Sequence, residues 1–292
     1  MNLGLKLTDA NRKRLILFSY SLLSLIPIVV GVFCIQTYGV DVLYGDQWDL
    51  SHTLVLAKQS LLPIREFFIL HNEHRTAASK LISAMLIRLF SACNVKVEMM
   101  IGHAFSILTY GLAVMLISKP SQFFTGAKVS SQNLHFGGLS MVASSLLLFS
   151  PVQHENWLWG FQMPWFLVIL CLVAAVFFLD VCLETATYWA FFAAIATCVI
   201  ASFSLAHGLF VWVACLPMFL KPGLKRRIRA SLGAVWLGSA VLTGLIYLAE
   251  YRKPASHPST NLVFERPGLA IDFFLNQVGG TFGKIAIPNL IL

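Results

Sequence analysis

The chain has 292 residues, 58% of them hydrophobic and 12% charged, with a net charge of +8 and a mean hydropathy of +0.76. A soluble domain carries about 25% charged residues, so this composition excludes a cytosolic enzyme, a disordered tail and a disulfide-stapled secreted domain. It predicts an all-α polytopic membrane protein.

The positive charge is concentrated beside apolar runs. Arg12, Lys13 and Arg14 precede the first run, and Lys225, Arg226, Arg227 and Arg229 separate two later ones. Short basic loops of this kind report orientation in a bilayer and do not form the continuous basic face that a nucleic acid needs. No nucleic-acid partner is expected. The six cysteines form no CxxC pair and mostly lie in apolar runs, as small hydrophobes do.

Charge-free windows long enough to span run over Leu15–Val40, Met99–Ser118, Val129–His154, Asn156–Leu179 and Ala230–Ala249. The first is too long for a signal-peptide core, and Pro27 should kink it without abolishing it. Thr185–Leu220 holds 36 uncharged residues, about 54 Å as one helix. It is therefore expected to fold as two short spans turning near Ser204–Gly208, for about seven spans in all. An N-terminus in the cytoplasm puts the Lys225–Arg229 loop on the same side, and Lys119 and Lys128 there as well. This holds if Thr76–Cys93 does not span. That segment reads as an interfacial helix, with Lys80, Ser83, Ala84, Arg88 and Ser91 on one face and Ile82, Met85, Leu86, Leu89 and Phe90 on the other. Residues 38–96 then form a long first outer loop built of interfacial amphipathic helices, and residues 1–250 form the transmembrane core. Residues 251–292 read as an outer loop and an incomplete further span containing Gly279, Gly280, Gly283 and Pro288.

Four polar stretches fall on one side in this topology. In Gly45-Asp46-Gln47-Trp48-Asp49, the two acids share a helical face. They suit a general base for a hydroxyl or a divalent cation carrying phosphate oxygens, and equally a helix N-terminus. In His71-Asn72-Glu73-His74-Arg75, the histidines have metal-ligand spacing without an HExxH pattern, and Arg75 could clamp a phosphate; a solvated loop is the plainer alternative. His154, Glu155, Trp157, Trp159, Gln162 and Trp165 mark a third stretch, where an aromatic belt competes with stacking on a sugar. His207, in Ala206-His207-Gly208, reads first as a structural cap. His103 and His135 are expected to be satisfied locally, and Asp180 and Glu184 to terminate a span on the opposite side.

The order Gly-Asp-Gln-Trp-Asp, His-Asn-Glu-His-Arg, then Glu-Asn-Trp-Leu-Trp-Gly-Phe-Gln over most of residues 1–250 resembles membrane glycosyltransferases of the GT-C type. The resemblance implies an inverting sugar transfer from a polyprenyl-phosphate donor to an envelope acceptor, on the outer face of a bacterial inner membrane. It implies Asp46 as the catalytic acidic residue with Asp49 next in line, and His74, Arg75 and Glu155 as donor or acceptor contacts. His71, Glu73, His154, Trp159, Gln162 and His207 complete the expected binding set. The competing classes are a transporter or lipid flippase, which would show midplane charges and inverted repeats, and an assembly subunit of an envelope complex.

Overall fold

The computed structural model describes residues 8–118, 131–221, 225–252 and 261–279. Among these the fold is helical, and the only β pairing is an isolated bridge between His71 and His74. Five helices are long and apolar enough to cross a membrane, over Asn11–Tyr38, Val95–Ser118, His135–Trp157, Gly160–Thr185 and Arg226–Leu248. The chain is a multi-pass membrane protein.

Helix α1 (Asp9–Tyr38) continues through Pro27 as expected. After it comes a string of short elements: a 3-10 helix (Gly45–Leu50), α2 (Ser51–Lys58), α3 (Ile64–Phe68) and α4 (Ala77–Phe90). Helices α5 (Val95–Ser118) and α6 (Ser131–Leu148) form a hairpin, followed by the one-turn α7 (His154–Trp157), a 3-10 turn over Gly160–Gln162, and α8 (Met163–Thr185). The long uncharged stretch breaks where its length demanded. α9 (Tyr188–Ser202) ends just before a 3-10 turn at Ala206–Leu209, and α10 (Phe210–Ala214) runs into another at Leu216–Leu220. With 15 residues, α9 rises only about 22 Å, less than a hydrocarbon core of about 30 Å. It and the broken segment after it are thus shorter apolar pieces beside the five long helices. α11 (Arg226–Leu248) returns across the bundle, and α12 (Leu262–Glu265) with α13 (Pro267–Gly279) ends the described chain. Lys119, Lys128, Gly280, Gly283 and Pro288 lie outside the described residues.

Lipid offers no hydrophobic drive between helices, so close packing of small residues must hold them. Ala175, Ala190, Ala194, Cys198 and Ala201 are buried where α8 meets α9. Their centre is closed by Trp212 and Trp236, whose indoles donate to Ser202 Oγ at 3.1 Å and to the Trp212 carbonyl at 3.1 Å. A second cluster joins α1 and α5 around Ile35, Met99, Phe149 and Trp157. The third packs Leu50, Leu54 and Ala57 against Ala84 and Ile87 of α4. The six cysteines are all free thiols, four of them buried.

Chain direction gives the bundle two unlike ends. At one end Lys221 pairs with Asp180 and with Glu184 at 2.9 Å. The other end collects residues 39–94, 149–162, 203–209 and the C-terminus of α11, so all four polar stretches meet there. His103 and His135 are not satisfied within their own segments but by α1. His103 Nε2 bonds to the Ile28 carbonyl at 3.1 Å, while its buried Nδ1 has no partner among the described residues, and His135 Nδ1 bonds to the Tyr20 hydroxyl at 3.0 Å.

The turn at Gly208 has no room for a side chain, because a Cβ there would lie 1.9 Å from the Ala201 carbonyl oxygen. Gly208→Ala should therefore lower stability by more than about 2 kcal/mol. Gly111→Ala, with nothing within 4 Å of the added Cβ, should change it by less than about 1 kcal/mol. Thermal unfolding of the two purified variants measures the contrast.

Candidate functional site

The 3-10 helix Gly45–Leu50 begins at Gly45, whose φ of +54° suits glycine. Neither Tyr44 ahead of it nor Leu50 ahead of α2 supplies a side-chain cap, while Asp46 lies in the first turn of the 3-10 helix, as the helix-N-terminus alternative for Gly-Asp-x-x-Asp has it. In a 3-10 helix residues three apart eclipse, and both acids accordingly turn to one partner. His71 Nδ1 lies 3.5 Å from Asp49 Oδ2, and His71 Nε2 lies 4.0 Å from Asp46 Oδ2. The imidazole is 9% exposed, whereas the carboxylates are 58% and 68% exposed. A buried ring thus carries two solvent-facing acids on its rim. The edge of His71 also meets Phe161, with centroids 5.1 Å apart.

His71-Asn72-Glu73-His74 is a tight reverse turn. The His71 and His74 backbones exchange N–H···O bonds of 2.8 and 2.9 Å, and Asn72 takes a φ of +52°, which asparagine tolerates better than most residues. The turn sends its side chains in different directions. His71 faces the acids. His74 Nδ1 accepts the Ala206 N–H at 3.2 Å, and its Nε2 lies 3.6 Å from Glu73 Oε1. Arg75 is buried, with Nε donating to the Tyr247 carbonyl at 2.7 Å and its terminal nitrogens to the Phe68 and Ala249 carbonyls. The Tyr247 hydroxyl in turn donates to the Glu73 carbonyl at 2.9 Å. A guanidinium on the last carbonyls of a helix satisfies both hydrogen bonding and the dipole. Arg75 therefore fastens the first loop to the end of α11, and the phosphate clamp expected of it has no free fork to offer.

The third stretch joins the same end through its aromatic residues. Trp159 donates its indole N–H to the Tyr44 carbonyl at 3.0 Å, meets the Tyr44 ring edge-on and packs beside Phe161. Trp157 is 1% exposed and packs against His103, so it belongs to the core and not to a surface belt. Trp165 remains exposed, with its ring 4.8 Å from that of His207. Gln162 is half-buried beside Phe161. His154 and Glu155 are exposed on α7, and His154 makes a local contact to the Pro151 carbonyl at 3.2 Å.

The residues that hold the acids in place were not among those expected from sequence. Glu98, in the first turn of α5, is buried and accepts from Gln47 Nε2 at 2.6 Å and from Ser83 Oγ. Its carboxylate also lies against Gly160, where a Cβ would come within 2.9 Å of it. One carboxyl thus ties together the 3-10 helix of the two acids, α4 and the Trp159–Phe161 turn. Its sequence signal is a lone acid opening an apolar span. Asp41 adds a cap to α5, accepting from the Val95 N–H at 2.6 Å. Burial first, then the charges of Glu98 and Asp41, push the nearby Cys93 thiol up to about 11.

Lys80 on α4 is 4% exposed and donates to the Glu66 and Ile69 carbonyls at 3.2 and 2.9 Å. Among the described residues, no group of three or more His, Cys, Asp or Glu is arranged to hold a metal ion. Comparison with protein-family models, with curated proteins and with solved structures finds no match to this chain.

Burial lowers the Lys80 pKa from its ordinary 10.5, partly offset by Glu66. The folded state then sheds this proton at a lower pH than the unfolded state does, so stability should rise as pH climbs toward 10.5. Lys80→Met should flatten that rise, as read by melting temperature across the alkaline range.

Proposed function

We propose that this protein is a membrane glycosyltransferase of the GT-C type, transferring a sugar from a polyprenyl-phosphate donor to an envelope acceptor. In this reading the site faces the outside of a bacterial inner membrane and the N-terminus lies in the cytoplasm. α9 and the broken segment after it then complete seven crossings. Arg12–Arg14 and Lys225–Arg229 head helices that both run toward the site end, so both clusters lie at the opposite end, in accord with the positive-inside rule.

The observation that carries the reading is the pair of exposed carboxylates, Asp46 and Asp49, set on the buried His71 where separate connections of the bundle converge. A lipid-linked sugar phosphate keeps its tail in the bilayer and its head at the interface, and a carboxylate at that depth can reach an acceptor hydroxyl. Asp46 would accept the acceptor's proton as its oxygen attacks the anomeric carbon, and the phosphate departs from the opposite face. His71, between the two acids, fixes their geometry. Asp49 is the second acid of the pair, or with Asp46 an anchor for a divalent cation that would carry phosphate oxygens. Trp159, Phe161 and Gln162 offer the aromatic and amide wall a sugar ring uses, and the exposed His154 and Glu155 remain donor contacts in this proposal. Glu73, His74, Arg75 and His207 support the site through the turn and α11.

Membranes from cells expressing the full-length protein should incorporate labelled sugar into envelope glycolipid. Asp46→Asn should reduce this by about 100-fold or more, and Asp49→Asn by less. Full incorporation by both variants would instead favour a transporter or an assembly subunit.

A further inference from the structure

Beside the acids lies a cavity of about 400 Å³, at the lower end of the range for small-molecule sites. Its polar rim is made by Asp49, His52, Glu66, His71, Asn72 and Lys80. The rim contains several kinds of hydrogen-bonding group. Asp49 and Glu66 can only accept. Lys80 spends two of its three N–H bonds on the Glu66 and Ile69 carbonyls and keeps one. His71, 9% exposed, lines the cavity beside Asp49, with Nδ1 3.5 Å from that carboxylate. Leu50, Ile69 and Leu70 supply apolar wall.

We propose that this cavity binds a neutral, polyhydroxylated pyranose ring. Hydroxyl groups both donate and accept, and ring C–H faces pack on aliphatic side chains, which matches a rim of mixed donors and acceptors over leucines. An anionic phosphate does not match, because two carboxylates face it with one ammonium, and Glu66 already lies near His52 at 3.8 Å. The inference rests on the transferase reading for its place in a reaction: the cavity holds a sugar unit next to Asp49 while Asp46, outside the cavity lining, does the chemistry.

The test uses the full chain in phospholipid nanodiscs and saturation-transfer NMR. The probes are methyl β-D-glucopyranoside in solution, a glucosyl diacylglycerol in the disc and inorganic pyrophosphate. The wild type should bind a sugar probe: the free glycoside if the ring belongs to a water-soluble acceptor, the glycolipid if it belongs to a lipid-linked substrate. Glu66→Gln should weaken binding at least tenfold. Ile69→Trp, which fills the cavity while keeping every rim charge, should do the same with an unchanged melting temperature. The proposal is overturned if neither sugar probe binds, if Ile69→Trp leaves sugar binding intact, or if pyrophosphate occupies the cavity and is displaced by that substitution. Asp46→Asn separates the two readings. Sugar binding that persists while transfer is lost supports both. Transfer that survives both Asp46→Asn and Asp49→Asn removes the transferase assignment, and sugar binding retained by Asp46→Asn then leaves the sugar site standing.

Discussion

The arrangement of the site depends on one carboxyl group with no solvent. Glu98 sits at the first turn of α5 with 4% of its surface exposed, and it has an amide from one segment, a hydroxyl from another and a glycine backbone from a third against it. A buried carboxylate is costly unless its oxygens are hydrogen-bonded, so the three segments have one geometry in which the cost is met. Loss of the carboxyl would strand Gln47 and Ser83, at roughly 1–3 kcal/mol for each buried group left unpaired. The acids Asp46 and Asp49 flank Gln47 in the chain. Their position depends on this buried contact as well as on their own contacts with His71.

α4 illustrates how a membrane protein reverses the usual placement of polarity. Its polar residues Ser79, Lys80 and Ser83 are buried against the protein, while Leu81, Met85 and Leu89 are 49%, 55% and 73% exposed. In water this would be an aggregation-prone face. The exposed apolar ridge leaves the polar stripe turned inward, where it supplies Ser83 to Glu98 and Lys80 to the cavity. The helix therefore has an exposed apolar ridge on one side and a wall of the cavity on the other.

Much of the architecture was legible because it follows from length and periodicity. The break near Ser204–Gly208 was forced by a 36-residue apolar run, and the α4 helix followed from the spacing of its apolar face. The expected alternation of spans put the polar stretches on one side, and direct contacts join them, His71 to Asp46 and Asp49, His74 to Ala206, and Trp159 to Tyr44. What sequence could not assign was the work of individual residues within a motif. Arg75 is a phosphate ligand by chemistry and a fastening by position, and the difference lies in α11, whose carbonyls come from residues more than 170 positions away. Trp157 and Trp159 are two apart, yet one fills the core beside His103 and the other meets Tyr44 edge-on and donates to its carbonyl. The role of Glu98 is hidden in the sequence, because its partners Gln47 and Ser83 are distant in the chain.

The claim that Glu98 organises the site is tested most directly by hydrogen–deuterium exchange on the Glu98→Leu variant in nanodiscs. The account expects exchange to quicken together in residues 45–50 and 160–162, while the α8–α9 core keeps its wild-type protection. Unchanged exchange in both segments, or a uniform loss across the whole bundle, would contradict it.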